Sequence, residues 1–586
     1  MELISGNEAF ARGAFEAGVR LASGYPGTPS TEILENLVKH KDEVYCEWAP
    51  NEKVAFEVAA GACLTGARSI CTMKHVGLNV AADPLMTLAY TGTVGGFVAL
   101  VADDPGMHSS QNEQDTRQYA RFAKVPLLEP SDSQEALDFV KLGLELSEEF
   151  STPVIVRSST RVSHSRSLVE TSERLVPDRP VGFVKDPPSF VPIPMWAREM
   201  RIRLESRLAA LEEAACNSPL NRIEWAGKRF GVIASGIAYQ YAKEAFPRAS
   251  FLKLGWCWPF PDKLIFDFAS QVEEVLVVEE LDDFLEEHLR SLGIACHGRD
   301  VISGIGELST ERLLEARAKL EGGQFSLPAP VAEAADLPAR PPVLCPGCPH
   351  RPVFHALGKH EVVVTGDIGC YTLGVLPPLS RLDTTLCMGA GISMAHGMDK
   401  AGEPKPVVGI VGDSTFFHSG ITGLLDIGYN RGKCTIFVLD NRTTAMTGHQ
   451  EHPGTGLTLM GETTSTASIA EFGRACGIKR VITVNPYNLK HLTEVVAEEL
   501  AADEASLIIT EGACPLRERK RVGIQRFIDA EACKKCGACL RIGCPAIEST
   551  EAGGVPSINL LLCSGCGLCA QVCKFDAIKL AGEPVE

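Results

Sequence analysis

The sequence lacks any run of about 18 uninterrupted apolar residues, and Met1 to Phe10 carries the acidic Glu2 with no basic segment leading into an apolar core. Neither a membrane-spanning helix nor a secretory leader is expected, and the cytoplasm is the expected setting. A basic excess is missing too: 56 Lys and Arg stand against 74 Asp and Glu, a formal charge of -18. That balance argues against nucleic acid and anionic membranes as partners and suits a small or basic one. What the chain does have is length and cysteine. At 586 residues it exceeds what one hydrophobic core serves, so several domains are expected. Its 21 cysteines, in a large chain without a leader, point to metal or redox work rather than to a disulfide framework. Eight of them fall between Cys533 and Cys573, in two groups whose starts are 30 residues apart, the one clear internal repeat.

Short apolar runs alternate with helical patterns through GVRLASGYPGTPS, NEKVAFEVAAGACLTG, GGFVALVADDPG and STPVIVRSS, so residues 1–175 read as an α/β domain with a mainly parallel sheet. A connector over 176–228 begins Pro-rich and continues as a charged helix near Arg198 to Ala215. A smaller α/β unit follows over 229–320, with strands in FGVIAS, SFLKLG and EEVLVVEE and a helix in DDFLEEHLRSLG. A Pro/Ala-rich linker, 321–343, separates it from a third α/β domain over 344–515, with strands in EVVVTGD, PVVGIVGD and CTIFVLDN. The cysteine-rich domain spans 521–586.

In GIVGDSTFFHSGITGLLDIGYNRGKCTIFVLDN, Gly412 and Asp413 end one expected strand and Asn441 ends the next, with 26 residues between Ser414 and Asn441. Strand ends of a parallel sheet converge on one edge, so Asp413 and Asn441 are placed to share a hard cation such as magnesium, while Gly412 lets backbone approach a diphosphate. A lone Gly-Asp is usually a turn; this pair on successive apolar strands is far less common by chance. The pattern resembles the thiamine diphosphate signature, with Ser414 in place of its second glycine, and the resemblance gives Thr443 a backbone carbonyl toward the metal. Such enzymes need a carboxylate to protonate the aminopyrimidine. Glu52, opening the helical run EKVAFEVAAGACL, resembles it, with Glu47 and Glu57 as competitors; a glutamate at a helix start is otherwise simply solvated near the positive dipole end.

The tail reads CKKCGACLRIGCP and CSGCGLCAQVCK. Two Cys-x-x-Cys-x-x-Cys runs with a later fourth cysteine are the strongest signal in the chain, and in such pairs the fourth ligand crosses over. Cys533, Cys536, Cys539 and Cys573 are expected to hold one [4Fe-4S] cluster, and Cys563, Cys566, Cys569 and Cys544 the other. Zinc is the plainer reading of clustered cysteines but fits this duplicated pattern poorly. The four-residue gap between Cys539 and Cys544 and Lys574 after Cys573 depart from the usual spacing and bear on loop shape.

Taken in order, YPGTPST, NEKVAFEVAAGA, MKHVGLNVAADP, GDIGCYTLG, GDSTFFHSG and the two-cluster tail resemble the large, α subunits of the indolepyruvate ferredoxin oxidoreductase family, over nearly the whole chain. The resemblance implies a multi-domain α/β fold that binds thiamine diphosphate and Mg2+ on parallel sheets flanked by helices. Residues 1–175 would then bind the pyrimidine, 229–320 resemble a transketolase C-terminal domain, 344–515 bind the diphosphate, and the tail forms a two-cluster ferredoxin-like domain. It implies decarboxylation of an aryl pyruvate with Glu52 as the activating acid, one-electron transfers through the clusters to ferredoxin, and acyl transfer to coenzyme A. A pyruvate or branched-chain 2-oxoacid is the alternative substrate. A small β subunit is implied, in a heterodimer or α2β2 assembly, because no coenzyme A site stands out here. Relatives also suggest a third cluster on Cys345, Cys348, Cys370 and Cys514, for which buried free thiols are the plainer alternative. His75 and His418 flank the cofactor loops as candidates for substrate binding or proton movement, and Thr28 for a hydrogen bond to substrate or cofactor. Phe416 and Phe417 either shape an aryl pocket or are core. Arg517, Arg519, Lys520 and Arg521 read as a solvated linker.

Overall fold

The computed structural model describes residues 1–175, 177–178, 180–325, 341–549 and 553–582. Most of the linker expected at 321–343, and Val176 at the start of the connector, lie outside the described residues. The chain forms two compact units, Met1–Glu333 and Ala334–Glu586.

The first unit is built on a seven-stranded sheet, in spatial order Trp256–Trp258, Leu127–Leu128, Val154–Ser159, Phe97–Asp103, Ser69–Lys74, Leu21–Gly24 and Tyr45–Trp48. All pairings are parallel except that of Trp256–Trp258 with Leu127–Leu128. Phe97–Asp103 is buried at every residue, which is why FVALVAD is apolar without alternation: helices cover both faces of a central parallel strand. A second sheet orders Glu274–Val278, Gly227–Ser235, Ala249–Leu254 and Arg222–Glu224, the last antiparallel. The chain leaves it after Leu254 and at once adds Trp256–Trp258 to the edge of the first sheet, so one strand stitches two α/β bodies together. Buried charges reinforce that seam, with Arg117 Nη1 donating to Glu279 Oε2 at 2.6 Å. The connector helix is Pro194–Asn217, with Pro194 at its first turn, where a missing N–H costs nothing.

The second unit holds a six-stranded parallel sheet ordered Thr384–Thr385, Val363–Gly366, Val407–Gly412, Thr435–Asp440, Ser506–Glu511 and Arg480–Val484. Two antiparallel pairs frame the tail: Arg526–Ile528 with Ile578–Leu580, and Ile547–Glu548 with Ser557–Ile558. Among the described residues no helix is long and apolar enough to cross a membrane.

Candidate functional site

In the first unit three segments meet at the C-terminal edge of neighbouring parallel strands: the loop after Leu21–Gly24, the helix start after Tyr45–Trp48, and the turn after Ser69–Lys74. Asn51 caps the helix Glu52–Leu64, its side chain accepting from Val54 N at 2.9 Å, which fixes Glu52 at the first helical position. Glu52 is 5% exposed. Its carboxylate lies on Gly77, where an added Cβ would come within 2.7 Å of Oε1. The competing carboxylates sit differently. Glu57 pairs with Lys53 in solvent, and Glu47 accepts from Ser23 Oγ at 3.1 Å and Tyr45 OH at 3.0 Å. Thr28 is half-buried, with its carbonyl accepting from Ser109 Oγ at 3.4 Å. His75 is 1% exposed and neither ring nitrogen has a hydrogen-bond partner; burial holds its pKa below the ordinary value, so the ring is neutral.

In the second unit, parallel pairing of Gly412 with Leu439 brings Asp413, Asp440 and Asn441 to one sheet edge. Asp413 is 3% exposed; Oδ1 accepts from Ser414 N at 2.9 Å, and Oδ2 from Thr443 N at 3.2 Å and faces His452 Nε2 at 3.1 Å. Asn441 Oδ1 also receives the Thr443 N–H at 3.1 Å, while Asn441 Nδ2 lies 3.3 Å from His350 Nε2. Burial pushes the His350 pKa down to about 4, so the neutral ring accepts from the Asn441 amide and aims its oxygen. Burial and the Asp413 charge push Asp440 up to about 7, whereas Asp413 stays below its ordinary value: burial raises it, and the contacts with His452, Asp440 and the Ser414 N–H together outweigh that. Two buried carboxylates and an amide oxygen on one edge are hard donors with surplus negative charge, a set that fits a divalent cation. Neither His350 nor His452 stood out in the sequence, although His350 closes CPGCPH.

Gly412 has a φ of -84°, and a Cβ there would meet the Tyr371 ring at 2.7 Å, so the missing side chain makes room for Tyr371. Tyr371 OH donates to Asp367, whose other oxygen accepts from Gly389 N at 2.7 Å; burial holds that carboxyl up at about 8. Ser414 Oγ accepts from Thr444 at 3.0 Å. His418 lies in the π-turn Phe416–Gly420, 5% exposed, with Nδ1 2.9 Å from Ser419 Oγ. Phe416 and Phe417 belong to the core, Phe417 tilted against His452. Arg517 is no solvated linker: it donates to the Arg442 carbonyl at 2.6 Å and pairs with Glu451.

The eight tail cysteines surround two cavities. One is lined by Cys533, Cys536, Cys539 and Cys573, the other by Cys544, Cys563, Cys566 and Cys569. Each set thus takes its fourth thiol from the opposite half of the repeat. Tight turns build the loops: Gly565 has a φ of +77°, and a Cβ there would strike the Gly523 carbonyl at 2.0 Å. Backbone N–H groups of Lys535 and Ala577 point at Cys533 and Cys573 sulfurs, each at 3.4 Å. Burial pushes the Cys569 thiol up to about 12, so holding its thiolate at neutral pH calls for bound cations, and the cysteine sets fit iron–sulfur clusters. Among the described residues no three His, Cys, Asp or Glu side chains converge as a single ion requires; the thiols enclose space instead.

Cys345, Cys348, Cys370 and Cys514 also gather. Burial raises Cys370 to about 11 and Cys348 to about 12, and charges on the other members of the set add to each. Cys514 N donates to the Asn441 carbonyl at 3.0 Å, which ties this set to the cation cradle. Gly347, with φ +72°, lets the Cys345–Cys348 loop settle on Ser564 of the tail.

Residues 12–186 match the thiamine-binding domain model of pyruvate flavodoxin/ferredoxin oxidoreductases, 367–510 the C-terminal binding domain of thiamine pyrophosphate enzymes, and 556–579 a 4Fe-4S binding domain. Indolepyruvate oxidoreductase subunit IorA of Methanothermobacter marburgensis is 43% identical, the alignment covering 99% of this chain and 97% of that one. The same subunit of Archaeoglobus fulgidus is 42% identical over the same shares. A more distant relative, 2-oxoglutarate synthase subunit KorA of Methanothermobacter thermautotrophicus, is 27% identical over 47% of this chain and 86% of its own. The chain belongs to the indolepyruvate oxidoreductase IorA-subunit family, oxidoreductases built on thiamine-diphosphate-binding α/β domains and a C-terminal 4Fe-4S domain.

Proposed function

We propose that this chain, with a small β subunit, converts aryl pyruvates of the indolepyruvate and phenylpyruvate type to aryl-acetyl-CoA. In balance, a 2-oxoacid anion, coenzyme A and two oxidised ferredoxins give the acyl-CoA, carbon dioxide, two reduced ferredoxins and one proton. The observation that carries this reading is the gathering, in one compact unit, of the Asp413–Asn441–Thr443 cradle and three sets of cysteines.

Bound thiamine diphosphate supplies a carbon nucleophile and an electron sink for decarboxylation. Asp413, Asn441 and Thr443 would hold Mg2+ against its diphosphate, with His350 fixing the Asn441 amide. Glu52, buried and locked at a helix start, would move the proton on the aminopyrimidine. Gly77 leaves room for that carboxylate. The two tail sets, and the set of Cys345, Cys348, Cys370 and Cys514, would each bind a [4Fe-4S] cluster, which accepts electrons singly where a nicotinamide cannot. His75 and His418, flanking the cofactor loops, would position the substrate carboxylate or move protons, and Thr28 would hydrogen-bond substrate or cofactor.

The test is anaerobic turnover of the two-subunit enzyme with indolepyruvate, phenylpyruvate, pyruvate and a branched-chain 2-oxoacid, followed by coenzyme A-dependent viologen reduction. Preference for the aryl acids is expected. Turnover only on the smaller acids would move the substrate class and leave the chemistry in place.

A further inference from the structure

The cysteine sets of the second unit form a series with a direction. The upstream set is tied to Asn441 through Cys514. Tyr487 stands next in line: its hydroxyl donates to the Gly347 carbonyl at 2.7 Å, and its surroundings include Cys348, Cys514 and Cys566. Arg351 staples the same junction, donating to the Ile542 carbonyl at 3.1 Å and the Cys345 carbonyl at 3.2 Å. The set containing Cys566 therefore lies between the cradle and the set containing Cys533. At the far end Cys536 is exposed, unlike the other seven tail cysteines, so electrons delivered to that last set reach the surface there.

Cys536 opens into a groove of about 860 Å³, lined also by Lys359, Lys490, Arg541 and Lys574, with Glu494 as its one acid. Among the described residues none of these four cations is in an ion pair with an acid of this chain. Arg541 donates to the Cys536 carbonyl at 3.4 Å, and Lys359 to Thr493 Oγ1 at 3.3 Å. His355 on the groove wall has a lowered pKa, from burial first and then from the Lys359 and Arg541 charges, in keeping with the excess of cations in the lining. Phe575, 45% exposed, adds an apolar contact. A chain of net charge -18 thus concentrates unpaired positive charge beside Cys536, which among the described tail cysteines is the most open to solvent. By net charge alone the chain suits a small or basic partner; the groove reverses that sign locally.

We infer that this groove is the docking site of an acidic electron-carrier protein of the ferredoxin kind, which takes electrons from the cluster on Cys533, Cys536, Cys539 and Cys573. The inference rests on the electron-transfer reading above. Four unpaired cations beside the exit cluster steer an acidic partner, hold it weakly and make its encounter sensitive to salt, as suits a carrier that must leave after each electron. Lys359 and Lys490 lie on the α/β domain while Arg541 and Lys574 lie on the tail, so a carrier bridges both.

The experiment uses the anaerobic two-subunit enzyme and a [4Fe-4S] ferredoxin of net negative charge. Lys359→Glu/Lys490→Glu is compared with Lys405→Glu/Lys479→Glu, which changes net charge equally at cations outside the groove. Binding is read by calorimetric titration, and turnover with ferredoxin and with viologen. The groove variant should weaken ferredoxin binding and raise its KM about tenfold or more at low salt, and flatten the salt dependence, with viologen turnover kept. The control variant should change both by about twofold or less. Unchanged ferredoxin affinity with viologen turnover intact, or equal losses in both variants, would overturn the groove assignment alone. Loss of the small subunit from the groove variant would make this surface a subunit interface and overturn it as well. A wild-type enzyme that reduces no viologen with any 2-oxoacid would remove the functional reading on which the inference stands.

Discussion

The carboxylate of Glu52 rests on the α-carbon of Gly77, close enough that a methyl group there would overlap its Cγ at 2.6 Å and its Oε1 at 2.7 Å. Gly77 is in the third residue of the helix His75–Val80, where alanine would be the better helix former, so its absence of side chain answers to Glu52. Gly77→Ala should displace the carboxylate and lower 2-oxoacid turnover about 100-fold, comparable to misplacing a catalytic group by about 1 Å. Glu52→Gln should remove about 100-fold to 10,000-fold. Steady-state kinetics alongside cluster absorption checks both: turnover should fall while the absorption stays. Wild-type turnover in Gly77→Ala would mean that Glu52 has room to shift without consequence.

His350 aims Asn441, and its effect should appear in cofactor binding. His350→Phe keeps ring volume and removes the acceptor for the Asn441 amide, 3.3 Å away. Affinity for Mg2+ with thiamine diphosphate should drop about 10- to 100-fold, as for other residues that orient a ligand. Calorimetric titration of cofactor-depleted protein measures it directly.

The crossed cysteine sets make a prediction about pairs. Cys573→Ser should cost about four irons, and adding Cys533→Ser should cost no more, because both serve one cluster. Adding Cys563→Ser should double the loss. Iron analysis and the resonance spectrum of the reduced protein distinguish this from an uncrossed arrangement, in which Cys573 and Cys563 would be the redundant pair.

Glu280 ties pH to stability. It is buried in the first unit, accepts from Leu308 N at 3.0 Å, and burial pushes its carboxyl up to about 7 from 4.5. The folded protein therefore holds this proton to higher pH than the unfolded chain does, and the contribution fades as pH rises from about 4.5 through about 7, at most about 3 kcal/mol. Glu280→Gln should match wild type near pH 4 and exceed its Tm at pH 8.5. A Tm difference that does not change with pH would show that Glu280 is held by its neighbours in one charge state.

Much of this was legible in the sequence. The cysteine loops are a local signal: spacings of three residues dictate tight turns, and the repeat announces itself without a fold. The strands PVVGIVGD and CTIFVLDN are equally local, since continuous burial demands continuous apolarity, and a parallel sheet brings the ends of neighbouring strands together wherever it forms. Asp413 and Asn441 could be paired on that basis alone. Tertiary structure alone decided what depends on contacts between distant stretches of chain. These are the fit of Gly77 to Glu52, the bond from His350 to Asn441, and the contact of His452 with Asp413. They also include the packing of Tyr371 on Gly412, the strand Trp256–Trp258 that leaves its own sheet, and the cations that gather around Cys536. The reason is physical: composition and spacing set backbone preference over a few residues, whereas close approach, burial and local potential are properties of groups tens to hundreds of residues apart, and exist only once the chain has packed.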